Sequence, residues 1–259
     1  MTLGICNLNS VAIRKEPSDK SEMVSQILFG ETFQITETQD QWIKIIMDFD
    51  FYEGWVLYYQ IVEIDSNTYQ EIIKKDTIIS DELVTFISSN NNLQTLTLGS
   101  TLPLFHDDTF QINGVKFDFD GKIKTGKHLK SDLVNTAYMY LNSSFLWGGR
   151  TPFGVDCSGF TQMVYKINGY SLLRDSHQQA SQGEVLSFIE ESDPGDLAFF
   201  DNEEGEIIHV GIILANNYII HCHGKVRIDR LDQSGILNVD TKRHTHKLRV
   251  IKQIFSSDS

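Results

Sequence analysis

Cys157 lies in "FLWGGRTPFGVDCSGF" (residues 145–160), between an aspartate and a serine at the end of a glycine-punctuated loop. A cysteine is ordinarily a small core side chain. The residues C-terminal to Cys157 favour a different role. In "CSGFTQMVYKINGY", Phe160, Met163, Val164 and Ile167 recur at helical spacing and Gly169 closes the run. The spacing predicts a helix with Cys157 in its first turn, where free backbone N–H groups and the helix dipole favour an anion. An ordinary thiol, with a pKa of about 8.5, is only a few per cent thiolate at neutral pH. A helix start and a neighbouring imidazolium can lower that value, and the same N–H groups can hold an oxyanion. A nucleophile placed here lacks only a base.

The candidate bases are His209 in "IIHVGIIL" and His221 and His223 in "IIHCHGKV". A histidine between isoleucines on a strand is usually a core residue, so their relation matters more than either alone. If Ala215, Asn216 and Asn217 form a three-residue loop, Leu214 faces Tyr218 and Gly211 faces His221. His209 and His221 then share a face on the diagonal, with Cα atoms roughly 7–8 Å apart, and His223 stands opposite His209. A two-residue loop would put His209 and His221 on opposite faces. The pattern alone does not choose between His221 and His223 as the second imidazole.

The elements that must position these groups begin near residue 128. "SDLVNTAYMYLNSS" reads as a helix capped by Ser131, and beyond Pro194 strands dominate: "GDLAFFD", "EIIHVGIILA", "NYIIHCHGKVRID" and "HKLRVIKQIF". Helices followed by an antiparallel sheet give an α+β class. Residues 1–64 read as short strands with punctuation every eight to twelve residues, the pattern of a small β-barrel. Residues 65–127 open on polar "DSNTYQEIIKKD" and continue as strands with turns at Asn113-Gly114 and Asp120-Gly121, a second β-domain.

Composition narrows the partners. Twenty-two Lys and Arg against 35 Asp and Glu give a net charge of −13 with no basic cluster, which sets the chain against nucleic acid and anionic membranes. No apolar run approaches the roughly 20 residues needed to span a bilayer. The first residues, "MTLGICNLNSVAIRKEPSDK", lack a basic and an apolar leader region, so a cytoplasmic location is expected. Cys6, Cys157 and Cys222 are an odd, widely spaced set, neither a disulfide framework nor a zinc site, and no metal or cofactor is expected.

"FLWGGRTPFGVDCSGF", "RDSHQQ", "PGDLAFF", "HVGIIL" and "IIHCHGKVRID" resemble, in order and spacing, the NlpC-type papain-like cysteine peptidases, bacterial enzymes of cell-wall peptides. The resemblance covers about residues 130–255. The order "VAIRKEPSDKSEMVSQILFGETFQI…QWIKI…YEGWV" resembles bacterial SH3-like domains, and the combination is most similar to γ-D-glutamyl-L-diamino acid endopeptidases. The resemblance implies a papain-like core, a helix packed on an antiparallel sheet, preceded by one or two SH3-like barrels. It implies Cys157 as nucleophile, His209 as its base and His221, rather than His223, as the group orienting the imidazole.

By the same resemblance Asp156 and Ser158 line the substrate cleft, Asp156 holding the amine of an N-terminal L-Ala while capping the helix. Arg174 and Ser176 lie near the D-Glu carboxylate, which an arginine fork suits. Glu53 and Tyr58 close one end of the cleft from the first SH3-like domain, whose Trp55 reads as barrel core. One position departs from the family: Phe145 stands where a tyrosine hydroxyl usually helps hold the oxyanion. The implied function is hydrolysis of the γ-D-glutamyl–diamino acid bond in murein peptides with a free N-terminal L-Ala, in wall-peptide recycling. Phe145 motivates an alternative, a weakened muropeptide-binding or sensing protein; acyl transfer on the same thiol is a third.

Overall fold

The computed structural model describes residues 2–255 and divides into two compact units, Met1–Gly126 and Lys127–Ser259. The first opens with β1 (Thr2–Ile5), β2 (Ser10–Arg14), β3 (Met23–Leu28), β4 (Thr32–Gln39), β5 (Trp42–Met47), β6 (Glu53–Leu57) and β7 (Val62–Ile64). They pair antiparallel in the order β3-β2-β6-β5-β4-β1-β7. Alternation turns Val11, Ile13, Ile27, Ile43, Ile45 and Val56 into one core, and Trp55 is buried.

The polar stretch after residue 64 forms a helix, α1 (Ser66–Lys74), inside a segment whose pattern otherwise predicts strands. Asp65 caps it by accepting from the amides of Asn67 and Thr68, while Tyr69 and Ile72 supply the apolar stripe. Six strands complete the unit: β8 (Ile78–Ser80), β9 (Val84–Ser89), β10 (Asn92–Thr97), β11 (Thr109–Ile112), β12 (Val115–Asp118) and β13 (Ile123–Thr125). Asn113 and Gly114 take the positive φ that a tight hairpin between β11 and β12 demands. Asp120-Gly121 makes no hairpin, because β13 pairs with β8 instead. Ile5, Phe29 and Ile64 of the first β-segment share an apolar core with Ile87, Leu96 and Phe110 of the second. The two segments, which the sequence suggests are separate domains, thus form one compact unit.

The second unit starts with α2 (Lys130–Met139), whose N-cap is Leu129 rather than Ser131. Lys130 is drawn inward by Asp196, Nζ to Oδ1 2.7 Å, which starts the helix earlier than the cap residue would. A short hairpin, β14 (Arg150–Thr151) and β15 (Gly154–Val155), leads into α3 (Cys157–Ile167). After α4 (Ser176–Gln179) come β16 (Glu184–Leu186), β17 (Leu197–Asp201), β18 (Ile207–Leu214), β19 (Tyr218–His223), β20 (Lys225–Asp232), β21 (Gly235–Asn238) and β22 (Arg243–Gln253).

The sheet order is β16-β22-β17-β18-β19-β20-β21, and β21 also pairs with β22. Strands β17 to β22 therefore close into a six-stranded barrel rather than an open sheet. Closure depends on the length of β22, which meets β21 through residues 243–247 and β17 through 247–252. Ala198, Phe200, Ile213, Ile219, Leu231, Ile236 and Ile251 fill the interior. Helix α3 packs on β18 and β19 and is buried from Ser158 to Ile167, so it is a central helix. Among the described residues no helix is long and apolar enough to cross a membrane.

Candidate active site

Asp156 follows β15 and caps α3, its Oδ1 accepting from the amide of Gly159 at 2.6 Å. Gly159 is required there because a Cβ would strike the carbonyl oxygen of Gly149. The cap fixes the first turn and brings half-buried Cys157 to the strands. Backbone amides of Val210 and Ser158 donate to its sulfur. Val210 adjoins His209, and the described ladder between β18 and β19 ends one residue further on, at Gly211–His221.

The thiol is not the activated thiolate that a helix start suggests. Burial and the charge of Asp156 push it up to about 12, against the opposing pull of the Val210 amide, Arg174 and the Ser158 amide. Burial and the neighbouring histidines hold His209 well below its ordinary value. Both directions favour a neutral thiol and a neutral imidazole at rest.

The β18–β19 turn has three residues, with Asn216 and Asn217 in the left-handed region that asparagine tolerates. Leu214 faces Tyr218 and Gly211 faces His221. A side chain on Gly211 would place its Cβ 2.8 Å from that of His221, so glycine makes room for the imidazole. In this register His209 Nε2 lies 2.8 Å from His221 Nδ1. His209 pairs with Phe200, a residue of the barrel core, so the imidazoles sit on the barrel's inner face. His223 is exposed and meets only the edge of His246 among ring contacts, at 4.9 Å.

Two residues of this cluster carry no signal in the sequence. Asp229 on β20 is fully buried, its Oδ2 3.0 Å from His221 Nε2. His246 on β22 stacks on His209, with centroids 4.1 Å apart and planes at 22°. Burial and the His221 and His223 rings push His246 down to about 4. Despite four histidines in proximity, no group among the described residues is arranged to hold a metal ion.

Asp156 and Arg174, both expected to line the cleft, are paired with each other. Arg174, in the segment between α3 and α4, is buried and grips Asp156 with Nη2 to Oδ2 at 2.6 Å and Nη1 to Oδ1 at 3.1 Å. Its Nη1 also donates to Ser158 Oγ at 3.0 Å. Gly148 N adds a bond to Asp156 Oδ2 and Ser158 Oγ one to Oδ1. With Gly159, these donors reach both carboxylate oxygens, so a substrate amine would share them with the protein's own donors. The fork expected for a D-Glu carboxylate holds the protein's own acid here.

Ser176 opens α4 and is half-buried. In the first unit, Glu53 pairs with Lys44 at 3.0 Å, and Tyr58 is exposed and edge-on to Tyr59. Phe145 is exposed, as are Trp147 and Phe153. Tyr138 is exposed too, whereas the hydroxyl of Tyr140 is buried beside Phe160 with no hydrogen-bond partner among the described residues.

A thiol at the start of a central helix, packed on strands that carry hydrogen-bonded imidazoles, defines a papain-like cysteine peptidase; the first unit is an SH3-like barrel with an added β-layer. Residues 142–245 match the NlpC/P60 family, and residues 13–61 the bacterial dipeptidyl-peptidase SH3 domain. The chain is 31% identical over 215 residues to the γ-D-glutamyl-L-lysine dipeptidyl-peptidase of Bacillus subtilis strain 168, covering 76% of this chain and 71% of that protein. To dipeptidyl-peptidase 6 of Lysinibacillus sphaericus it is 26% identical over 245 residues, 84% of this chain and 88% of the other. The crystal structure of an NlpC/P60 family protein from Bacillus cereus ATCC 10987 has the same fold, with a TM-score of 0.83 over 97% of this chain and 99% of that one at 19% identity. The chain belongs to the NlpC/P60 family of cell-wall peptidases and is a cysteine-dependent hydrolase.

Proposed function

We propose that the protein cleaves the γ-D-glutamyl–diamino acid bond of murein peptides whose L-Ala amine is free, a reaction suited to recycling of released wall fragments. The observation that carries this reading is the His209–His221 hydrogen bond beside the Val210 amide that reaches Cys157, in a chain aligned over most of its length with a γ-D-glutamyl-L-lysine dipeptidyl-peptidase. Dipeptidyl release requires an enzyme to measure two residues from a free N-terminus.

Because the resting pair is neutral, the thiol proton passes to His209 as sulfur attacks the γ-carbonyl carbon of D-Glu. A C–S bond forms, the carbonyl electrons move onto oxygen, and the amides at the start of α3 stabilise that oxyanion. On collapse the C–N bond breaks and His209 protonates the departing diamino-acid amine. Water, deprotonated by His209, then attacks the thioester, releasing L-Ala-D-Glu and restoring the thiol.

The test compares L-Ala-γ-D-Glu-L-Lys and its diaminopimelate counterpart with their N-acetylated forms. The free peptides should yield L-Ala-D-Glu and the diamino acid. Acetylation removes a charge that the cleft must pair, a loss of about 2–5 kcal/mol, or roughly 30- to 4,000-fold in kcat/KM. Equal kcat/KM for free and acetylated peptides would overturn the free-amine requirement and favour an enzyme of intact wall.

Phe145 supports a second reading, in which turnover is weakened in favour of binding or sensing. An oxyanion donor is worth roughly 10²–10³ in kcat. Phe145 is exposed rather than locked in the core, so Phe145→Tyr adds a hydroxyl without repacking the interior. A modest rise in kcat at unchanged KM is expected for a working peptidase. A gain of the full 10²–10³ would shift the reading to a weakened one, and no gain would show that other donors complete the oxyanion site.

A further inference from the structure

The acid behind the two histidines is placed to decide which nitrogen takes the thiol proton. Asp229 accepts from Arg227 Nε at 2.7 Å and Nη2 at 2.9 Å and from the amide of Val239 at 2.8 Å, and its Oδ2 lies 3.0 Å from His221 Nε2. Burial alone would raise its pKa, but the hydrogen bonds from His221 and Arg227 outweigh it and hold the carboxyl well below the usual range. An ionised carboxylate can only accept. His221 Nε2 must therefore carry a proton.

Burial holds His221 below its ordinary value, so at neutral pH it has one ring proton, and Nδ1 is a lone pair. That lone pair requires a donor, and His209 Nε2 stands 2.8 Å from it. Neutral His209 then carries its single proton on Nε2, and its Nδ1 is bare. Were Asp229 a donor instead, each step would invert and leave Nδ1 of His209 already protonated, unable to act as a base. His246 does not compete for these edges. It touches the face of His209, and its own Nδ1 meets Thr245 Oγ1 at 2.9 Å.

We propose that Asp229 is a positioning residue that fixes the tautomers of His221 and His209 in series, so that Nδ1 of His209 is the bare nitrogen that receives the Cys157 proton. This rests on the cysteine-peptidase mechanism, in which His209 is the base. Arg227, which also reaches Asp240 Oδ2 at 2.8 Å, adds a second cationic grip on the carboxylate.

The first measurement needs no turnover. A long-range proton–nitrogen spectrum of the resting wild-type protein at neutral pH distinguishes protonated from bare ring nitrogens, with signals identified by their loss in His209→Gln and His221→Gln. Both rings should show Nε2 protonated and Nδ1 bare. A resting His209 protonated on Nδ1, or on both nitrogens, overturns the proposal whether or not any peptide is cleaved. The second measurement is Asp229→Asn, in which the amide can donate to His221 Nε2. Its spectrum should show His209 protonated on Nδ1, and kcat should fall about 10²–10⁴-fold, the scale of a tautomer inversion in an acid–histidine relay, with KM within threefold. Wild-type kcat in a folded Asp229→Asn protein would overturn it. Loss of hydrolysis in every form with the wild-type tautomers in place would instead count against the proposed peptidase function.

Discussion

Cys157→Ala and His209→Ala should each lower kcat on L-Ala-γ-D-Glu-L-Lys by about 10⁴–10⁶-fold, and the double variant should be little worse than either single one. The reason lies in the neutral resting pair. A thiol pushed up to about 12 has almost no thiolate at neutral pH, so attack without the base is nearly closed. His209 without the sulfur has nothing to deprotonate. The two act as one unit, and removing either removes the whole contribution. Near-full activity of Cys157→Ala would exclude this cysteine as the nucleophile and direct attention to Cys6 or Cys222, both buried and both driven upward by burial. The same assay ranks the second imidazole. His221→Ala should lose far more than His223→Ala, because His221 holds the base at 2.8 Å while His223 is exposed.

The second large effect is on stability. Arg174→Met should cost about 3–5 kcal/mol of unfolding free energy, the scale for leaving a buried charge without its partner. Asp156 would then stand buried beside the half-buried thiol with only neutral donors, and its hold on the start of α3 and on Gly148 would loosen together. Urea unfolding measures the loss. Asp156→Asn combined with Arg174→Met should recover part of it, since the orphaned charge is gone. A single-variant loss under about 1 kcal/mol would show that water reaches the carboxylate and that the pair does not clamp the start of α3.

The placement of Cys157 at a helix start and of His209 beside His221 is legible in the sequence because each is tied to a local rule. Cys157 sits between a capping aspartate and apolar residues at helical spacing, and the Asn216-Asn217 turn sets the register that brings His209 to His221. Residues whose role depends on distant closure are not legible. Asp229 is one of several charges in the strand segment "KVRIDRLD" and nothing local singles it out. It is buried only because β20 is closed in on both edges, by β19 and β21. His246 in "RHTHKLRV" sits among exposed charges and reaches His209 only because β22 spans from β21 to β17. Arg174 reads as a loop residue because nothing local reports that Asp156, 18 positions away, needs its guanidinium. The cap of α2 escapes local rules for the same reason, its true start being set by Asp196 far along the chain.

Asp229, His221 and His209 occupy three neighbouring strands, β20, β19 and β18, each hydrogen-bonded to the next. Their line runs diagonally across the barrel wall, so its spacing is set by the roughly 4.8 Å interval between strands together with the register that the three-residue β18–β19 turn imposes. Insertions or exchanges in loops other than the β18–β19 and β19–β20 turns can reshape what the enzyme admits without stretching the proton path. The part of the molecule that must stay constant for bond cleavage is ruled into the backbone lattice, and the part that selects substrates is free to diverge around it.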